Sequence, residues 1–296
     1  MNDRLRFAAF GGGLVVLFGA ALGIGALVGD PAEPGPGQGD THSSQTAETG
    51  LDSARDGYAL TEISAPAAPN QPGTLRFRVT RPDGTAVTAF APQHDKDLHL
   101  IVVRSDASQY RHVHPAMAAD GTWSIDWTWA EPGNYRVFAD FVPAGGPDLT
   151  LSRTVQVAGS VVDKPLPPVS RIAEVDGYRV TRTGDLSTAG GELRFTVTRD
   201  GKPVTDLQPY LGAYGHLVAL RTSDLAYLHV HPQGEVGKTP AGPDVAFHAQ
   251  APTAGTYRLY LDFQHAGTVH TAEFTDAATT SAPTPGGTGH HEGGHS

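Results

Sequence analysis

Two stretches of this chain alternate apolar and polar residues in the same way. Leu75-Arg76-Phe77-Arg78-Val79-Thr80 and Leu193-Arg194-Phe195-Thr196-Val197-Thr198 each place three apolar side chains on one face, the pattern of a strand with one face on a core. Each is followed by a turn at Asp-Gly, Asp83-Gly84 and Asp200-Gly201, as hairpins prefer. Each is preceded by Gly-Tyr, at Gly57-Tyr58 and Gly177-Tyr178. A longer late strand closes each pattern, Gly133-Asn134-Tyr135-Arg136-Val137-Phe138-Ala139-Asp140-Phe141 and Gly255-Thr256-Tyr257-Arg258-Leu259-Tyr260-Leu261-Asp262-Phe263. Helical periodicity is almost absent. The chain therefore reads as two copies of one β unit of about 100 residues with seven or so short strands each, the signature of tandem immunoglobulin-like β-sandwiches. Gly-x-Tyr at the start of each late strand matches the tyrosine corner of such sandwiches.

The boundaries follow from where the pattern stops. Residues 56–158 form the first repeat and 172–276 the second. Residues 159–171, with Pro165, Pro167 and Pro168, form a short proline-stiffened linker. Residues 30–55 are rich in Pro, Gly, Ser and Thr and read as a flexible tether. Ahead of them, Arg4 and Arg6 precede residues 7–29, which carry no charge. That length suffices to cross a bilayer, and the arginines place the N-terminus in the cytoplasm. Residues 1–29 are thus an N-terminal transmembrane helix or a signal peptide, and the folded part is extracytoplasmic. An uncleaved anchor on the cell membrane is favoured over secretion, because a cleaved signal has a shorter apolar core. Residues 277–296 form a disordered tail ending in His290, His291 and His295.

A histidine hairpin occurs in both repeats. His99-Leu100 opens a run that closes at Tyr110-Arg111-His112-Val113-His114-Pro115. His216-Leu217, 117 residues on, opens one that closes at Tyr227-Leu228-His229-Val230-His231-Pro232. Eight of the 17 aligned residues are identical. Alternation puts His112 with His114, and His229 with His231, on one face. A two-residue turn at Ser223-Asp224 sets a register in which His216 lies opposite His231. In the first repeat the same register groups His99, His112 and His114 with Ile101, Val103 and Tyr110. A slip of one residue would move His99 and His216 to the other face.

Three clustered imidazoles are a competent ligand set for a divalent metal ion. The chain has no cysteine, which excludes disulfides, thiolate sites and cysteine nucleophiles. Met1 and Met117 are the only methionines, so thioether ligation of Cu(I) has little support. Copper(II) or zinc(II) are the expected ions. The expected ligands are His216, His229 and His231, then His99, His112 and His114. His265 and His270 stand as extra ligands in the second repeat, and the tail histidines as weak ones. These extra donors make the second repeat the first place to look. The competing reading is a structural or interaction module whose hairpin histidines are buried and hydrogen-bonded, their face serving as an inter-domain contact. The Asp140/Arg136 and Asp262/Arg258 pairs read as surface ion pairs, and Trp123, Trp127 and Trp129 as core and rim aromatics.

A net charge of −10 argues against nucleic-acid binding. No serine triad, phosphate-binding glycine loop or paired-carboxylate signature is visible, so an enzyme is not expected. The stretch Leu211-Gly212-Ala213-Tyr214-Gly215-His216-Leu217-Val218-Ala219-Leu220-Arg221, with His229-Val230-His231-Pro232 and Leu261-Asp262-Phe263-Gln264-His265 downstream, resembles a family of exported, largely uncharacterised bacterial proteins often described as heavy-metal-associated. The resemblance is strongest over residues 190–275. It implies an immunoglobulin-like sandwich and metal handling.

Overall fold

A computed structural model describes residues 49–280, His229 and the side chain of His231 apart. The expected membrane segment and the tail histidines lie outside these residues, whereas Ala54 and Arg55 of the expected tether and Ala277 and Ala278 of the expected tail are in strands. The described residues contain no helix, and therefore none long and apolar enough to cross a membrane.

The first repeat comprises β1 (Ala54–Arg55), β2 (Tyr58–Leu60), β3 (Gly73–Thr80), β4 (Phe90–Ala91), β5 (His99–Arg104), β6 (Arg111–Val113), β7 (Ala116–Met117), β8 (Thr122–Trp127), β9 (Gly133–Pro143) and β10 (Leu149–Val157). They form two sheets, β1-β2-β3-β8-β7 and β10-β9-β5-β6, with β4 beside β9. The second repeat comprises β11 (Ile172–Val175), β12 (Tyr178–Thr183), β13 (Gly191–Arg199), β14 (Lys202–Pro203), β15 (His216–Arg221), β16 (Tyr227–Leu228), β17 (Val230–Gln233), β18 (Asp244–Ala249), β19 (Gly255–His265) and β20 (Thr268–Ala278). Its sheets are β11-β12-β13-β18-β17, with β14 on β13, and β16-β15-β19-β20. In both repeats the order is that of the A-B-E-D and G-F-C sheets of an immunoglobulin-type sandwich, with one added strand outside A (β1, β11) and one next to C (β6, β16).

The alternation seen in the sequence is realised in β3 and β13. Leu75, Phe77 and Val79, and Leu193, Phe195 and Val197, are all buried in the cores of their repeats. Trp123, Trp127 and Trp129 are all core residues of the first repeat. The tyrosine corner is present twice. The Tyr135 hydroxyl donates to the Glu131 carbonyl at 2.8 Å, and the Tyr257 hydroxyl to the Thr253 carbonyl at 2.9 Å. Each bond ties the start of the late strand to the loop before it.

Strands β5 and β15 are apolar on both faces. All six residues of β5, and five of the six of β15, are buried. One face fills the core of its own sandwich. The other packs against the second sandwich, where Ile101, Val103 and Phe138 meet Val218, Leu220 and Tyr260. The contact repeats itself across a pseudo-two-fold axis. Tyr110 stacks on Tyr260 with centroids 3.9 Å apart, and the equivalent pair, Tyr227 and Phe138, lies at 5.8 Å. A strand covered on both sides reads as a continuous apolar run, which is why Leu100-Ile101-Val102-Val103 breaks the alternation seen elsewhere.

The hairpin between β15 and β16 has the expected register at Ala219 opposite Leu228 and Leu220 opposite Tyr227. The expected pairing of His216 with His231 does not form, because Val230 to Gln233 leave this sheet and pair with β18, His231 opposite His248. Its connection is longer than the expected two residues. The Arg221 amide bonds the Ala226 carbonyl, leaving Thr222 to Leu225 as the loop, with Leu225 left-handed at φ 63°. The added residues come in one pair, one from each side, so the register survives.

Candidate metal centre at the junction of the repeats

The pairing of Ile101 with His112 and Leu100 with Val113, continued by one step, brings His114 opposite His99. All three histidines then share the face turned toward the second repeat. Two tight turns prepare the neighbourhood. In the first repeat Gln93 and Lys96 bond each other's backbones, with His94 and Asp95 left-handed at φ 46° and 63°. In the second, Tyr210 and Ala213 do the same around Leu211 and Gly212 at 54° and 73°. These are type I′ turns. Each points a carbonyl at the histidine that opens the following strand.

That carbonyl fixes the tautomer. His99 Nε2 lies 3.0 Å from the Gln93 oxygen. A carbonyl only accepts, so Nε2 carries the proton and Nδ1 is a bare lone pair. His112 Nδ1 lies 2.9 Å from Asp262 Oδ2, so its proton is on Nδ1 and its Nε2 is bare. These two bare nitrogens face each other at 3.0 Å. His114 Nε2 joins them, 3.1 Å from His99 Nδ1. The three ligand atoms all lie within 4.8 Å of one another. One proton placed among them satisfies one contact, whereas a metal ion satisfies all three. In a tetrahedral site with bonds of about 2.0–2.1 Å the nitrogens sit about 3.3 Å apart, so the two contacts at His99 Nδ1, 3.0 and 3.1 Å, are each within a few tenths of an ångström of that spacing.

The electrostatics keep these rings ready to ligate. Burial and the neighbouring imidazole of His112 push His99 down to about 4. Burial, with His112 and His99, pushes His114 down to about 2. Both are neutral at neutral pH, the form a metal requires.

Asp262 belongs to the second repeat. It is 2% exposed, and its other oxygen accepts from Thr271 Oγ1 at 2.6 Å. Asp140 takes the matching place in the first repeat, accepting from Thr150 Oγ1 at 2.8 Å. The surface ion pairs expected for Asp140 and Asp262 do not form. Arg258 is buried and bonds Thr275 Oγ1 at 3.0 Å and Glu273, while Arg136 reaches the Leu51 carbonyl at 3.4 Å. The reason is docking. The face that carries these residues is open in an isolated sandwich and closed when two sandwiches meet.

In the second repeat, His216 mirrors His99. Its Nε2 lies 3.0 Å from the Tyr210 oxygen and 3.1 Å from that of Leu211, which leaves Nδ1 bare. Burial, with His112 next, pushes His216 down to about 4. Its ring lies 6.4 Å from His99 and 4.9 Å from His94. A cavity of about 290 Å³ between the repeats is lined by His94, His99, His112, Asp140 and His216. His229, the side chain of His231, and the tail residues His290, His291 and His295 lie outside the described residues.

His265 and His270 go elsewhere. His270 pairs with Phe263, one residue on from Asp262, and Phe263 is in the core. Alternation therefore turns His265 and His270 away from the face of His216. His265 contacts Tyr178 at 2.7 Å and Asp206 at 3.1 Å, and His270 contacts Asp176 at 2.7 Å. The residues that sequence reasoning passed over are Asp262, Gln93 and Tyr210. The signals available were the recurrence of Asp140 at Asp262 and the equal spacing from Gln93 to His99 and from Tyr210 to His216.

Among solved structures, the chain is similar to an alpha-2-macroglobulin mutant from Salmonella at 16% identity, over 81% of this chain and 16% of that one, with a TM-score of 0.26. It is similar to domains 4 and 5 of the S-layer protein SbsC at 14% identity, over 76% and 98%, with a TM-score of 0.22. Fibronectin(III)-like modules of CbhA from Clostridium thermocellum match at 12% identity, over 80% and 100%, with a TM-score of 0.20. Likenesses this distant say nothing of function. No curated protein matches the sequence. The family described as a domain of unknown function (DUF8832) matches twice, over residues 53–159 and 173–280, and the chain belongs to it, with one copy of the domain in each sandwich.

Proposed function

We propose that this protein binds or buffers a divalent metal ion, copper(II) or zinc(II), outside the cytoplasm, with His99, His112 and His114 as ligands. The supporting observation is the meeting of His99 Nδ1, His112 Nε2 and His114 Nε2, with two of the three opposite nitrogens donating their N–H to fixed acceptors. Three imidazoles fill three positions of a tetrahedral site, and a ligand set without sulfur suits copper(II) and zinc(II). The same sequence spacing offers His216, His229 and His231 as a second candidate set, with His231 paired on β18 and not on β15, and the tail histidines as a weak capture arm. The extracytoplasmic setting and the membrane anchor rest on the uncharged residues 7–29.

The other reading is a structural or interaction module without metal. Its support is that His99 and His216, 5% and 8% exposed, each donate to a backbone carbonyl inside the seam. Titration of the full chain with copper(II) and with zinc(II) separates the two. His290, His291 and His295 are replaced by Ala so that the tail does not contribute. Replacing His112 and His114 by Ala is expected to remove one bound ion or weaken it at least about 100-fold, and His229→Ala with His231→Ala reports the second set. Unchanged stoichiometry and affinity in both double variants overturn the metal reading.

A further inference from the structure

One of the contacts across the seam reaches the histidine cluster itself. His112, on β6 of the first repeat, gives its Nδ1 proton to Asp262, on β19 of the second. We propose that Asp262 is a positioning residue for the centre at His99, His112 and His114, so that metal binding and the docking of the two sandwiches are one coupled equilibrium. The proposal rests on the metal reading above.

A carboxylate behind a ligating imidazole locks the tautomer, fixes the ring and makes the ligand nitrogen more basic. Asp262 is itself held by Thr271 and has 2% exposure, so it cannot swing away while the repeats are docked. Undocking removes it from His112 and exposes the Tyr110 and Tyr260 stack. It also breaks the bond from the Tyr260 hydroxyl to the Ala107 carbonyl, 2.6 Å long. A metal that binds more tightly when Asp262 is in place must, by linkage, favour the docked form by the same factor. The first repeat thus supplies all three ligands and the second supplies the group that tunes one of them.

The test is a copper(II) and zinc(II) titration of the full chain and of three variants, Asp262→Asn, His112→Ala and the two combined. Asp262→Asn keeps the shape and removes the charge. It is expected to weaken binding 10–100-fold and to leave the residual affinity of the His112→Ala chain unchanged, since its effect runs through His112. A purely structural role would weaken both backgrounds alike. A second variant, Tyr260→Phe, touches no ligand. It is expected to weaken binding through docking and to shift the copper(II) absorption spectrum little. If the unsubstituted chain binds metal and Asp262→Asn binds as tightly, the coupling is overturned and the metal reading stands. An equal loss in the His112→Ala background overturns it too. If the unsubstituted chain binds neither ion, both fall.

Discussion

The two repeats carry the same His-Val-His-Pro sequence and pair it differently. In the first, Val113 pairs with Leu100 on β5, and the strand stays with the sheet that faces the seam. In the second, the equivalent Val230 pairs with Ala249 on β18, across the sandwich. The chain changes sheets at this corner in both repeats, but at different residues. Strand β17 runs four residues along β18, whereas its counterpart β7 runs only two along β8. A short identical motif therefore does not fix its own pairing, because the partner strands on both sides compete for the same backbone groups. The two repeats nevertheless agree closely where local geometry rules. The type I′ turns, the carbonyl on the first histidine, the threonine on the aspartate and the tyrosine corner all recur.

The comparison breaks most visibly at the seam. Tyr260→Ala removes a buried ring and a hydrogen bond between the repeats, at an expected cost of about 3–5 kcal/mol. Phe138→Ala removes its pseudo-symmetric partner, and urea unfolding of both measures how evenly the joint is shared. A cost below about 1 kcal/mol for Tyr260→Ala would show that the seam contributes little.

A smaller effect comes from acid. His99 and His216 hold pKa values of about 4 in the fold, below the ordinary imidazole value of 6.5. The unfolded chain therefore binds protons first as the pH drops, and each group weakens the metal-free fold. The stability they contribute is full above 6.5 and is lost as the pH falls to about 4, by about 1.4 kcal/mol per pH unit for each group. Urea midpoints between pH 7.5 and 4 read the slope. His99→Gln and His216→Gln are each expected to flatten it by a similar amount, one for each repeat.

The smallest effect is the tyrosine corner. Tyr135→Phe and Tyr257→Phe are each expected to cost about 1 kcal/mol, the worth of one intramolecular hydrogen bond. Unequal losses, read from the same urea experiment, would show that the corners differ in spite of their matched geometry.

How much of this could be read from the chain depends on the range of the forces involved. Alternation in β3 and β13 and the Gly-x-Tyr strands gave the all-β class and the duplication. These patterns are local, and a strand shows its buried face in its own residues. The three histidines could be placed on one face because pairing with β5 is antiparallel and its register follows from the turn. In the second repeat the longer loop at Thr222 to Leu225 did not disturb the pairing of β15 with β16, since only a one-residue slip changes faces. The ion pairs expected for Asp140 and Asp262 failed for the opposite reason. Alternation shows which side of a strand a residue takes, and it does not show that a second sandwich covers that side.

By itself, then, the sequence determined two β units, their strands, their corners and the faces of β5 and β15 that carry His99 and His216. Only the tertiary structure decided that these faces meet and that Asp262 of one repeat orients His112 of the other. It also decided that His265 and His270 point away from His216. Local pattern sets which atoms a strand can offer. Docking sets which of them are brought within about 3 Å, the range at which a hydrogen bond or a metal bond acts.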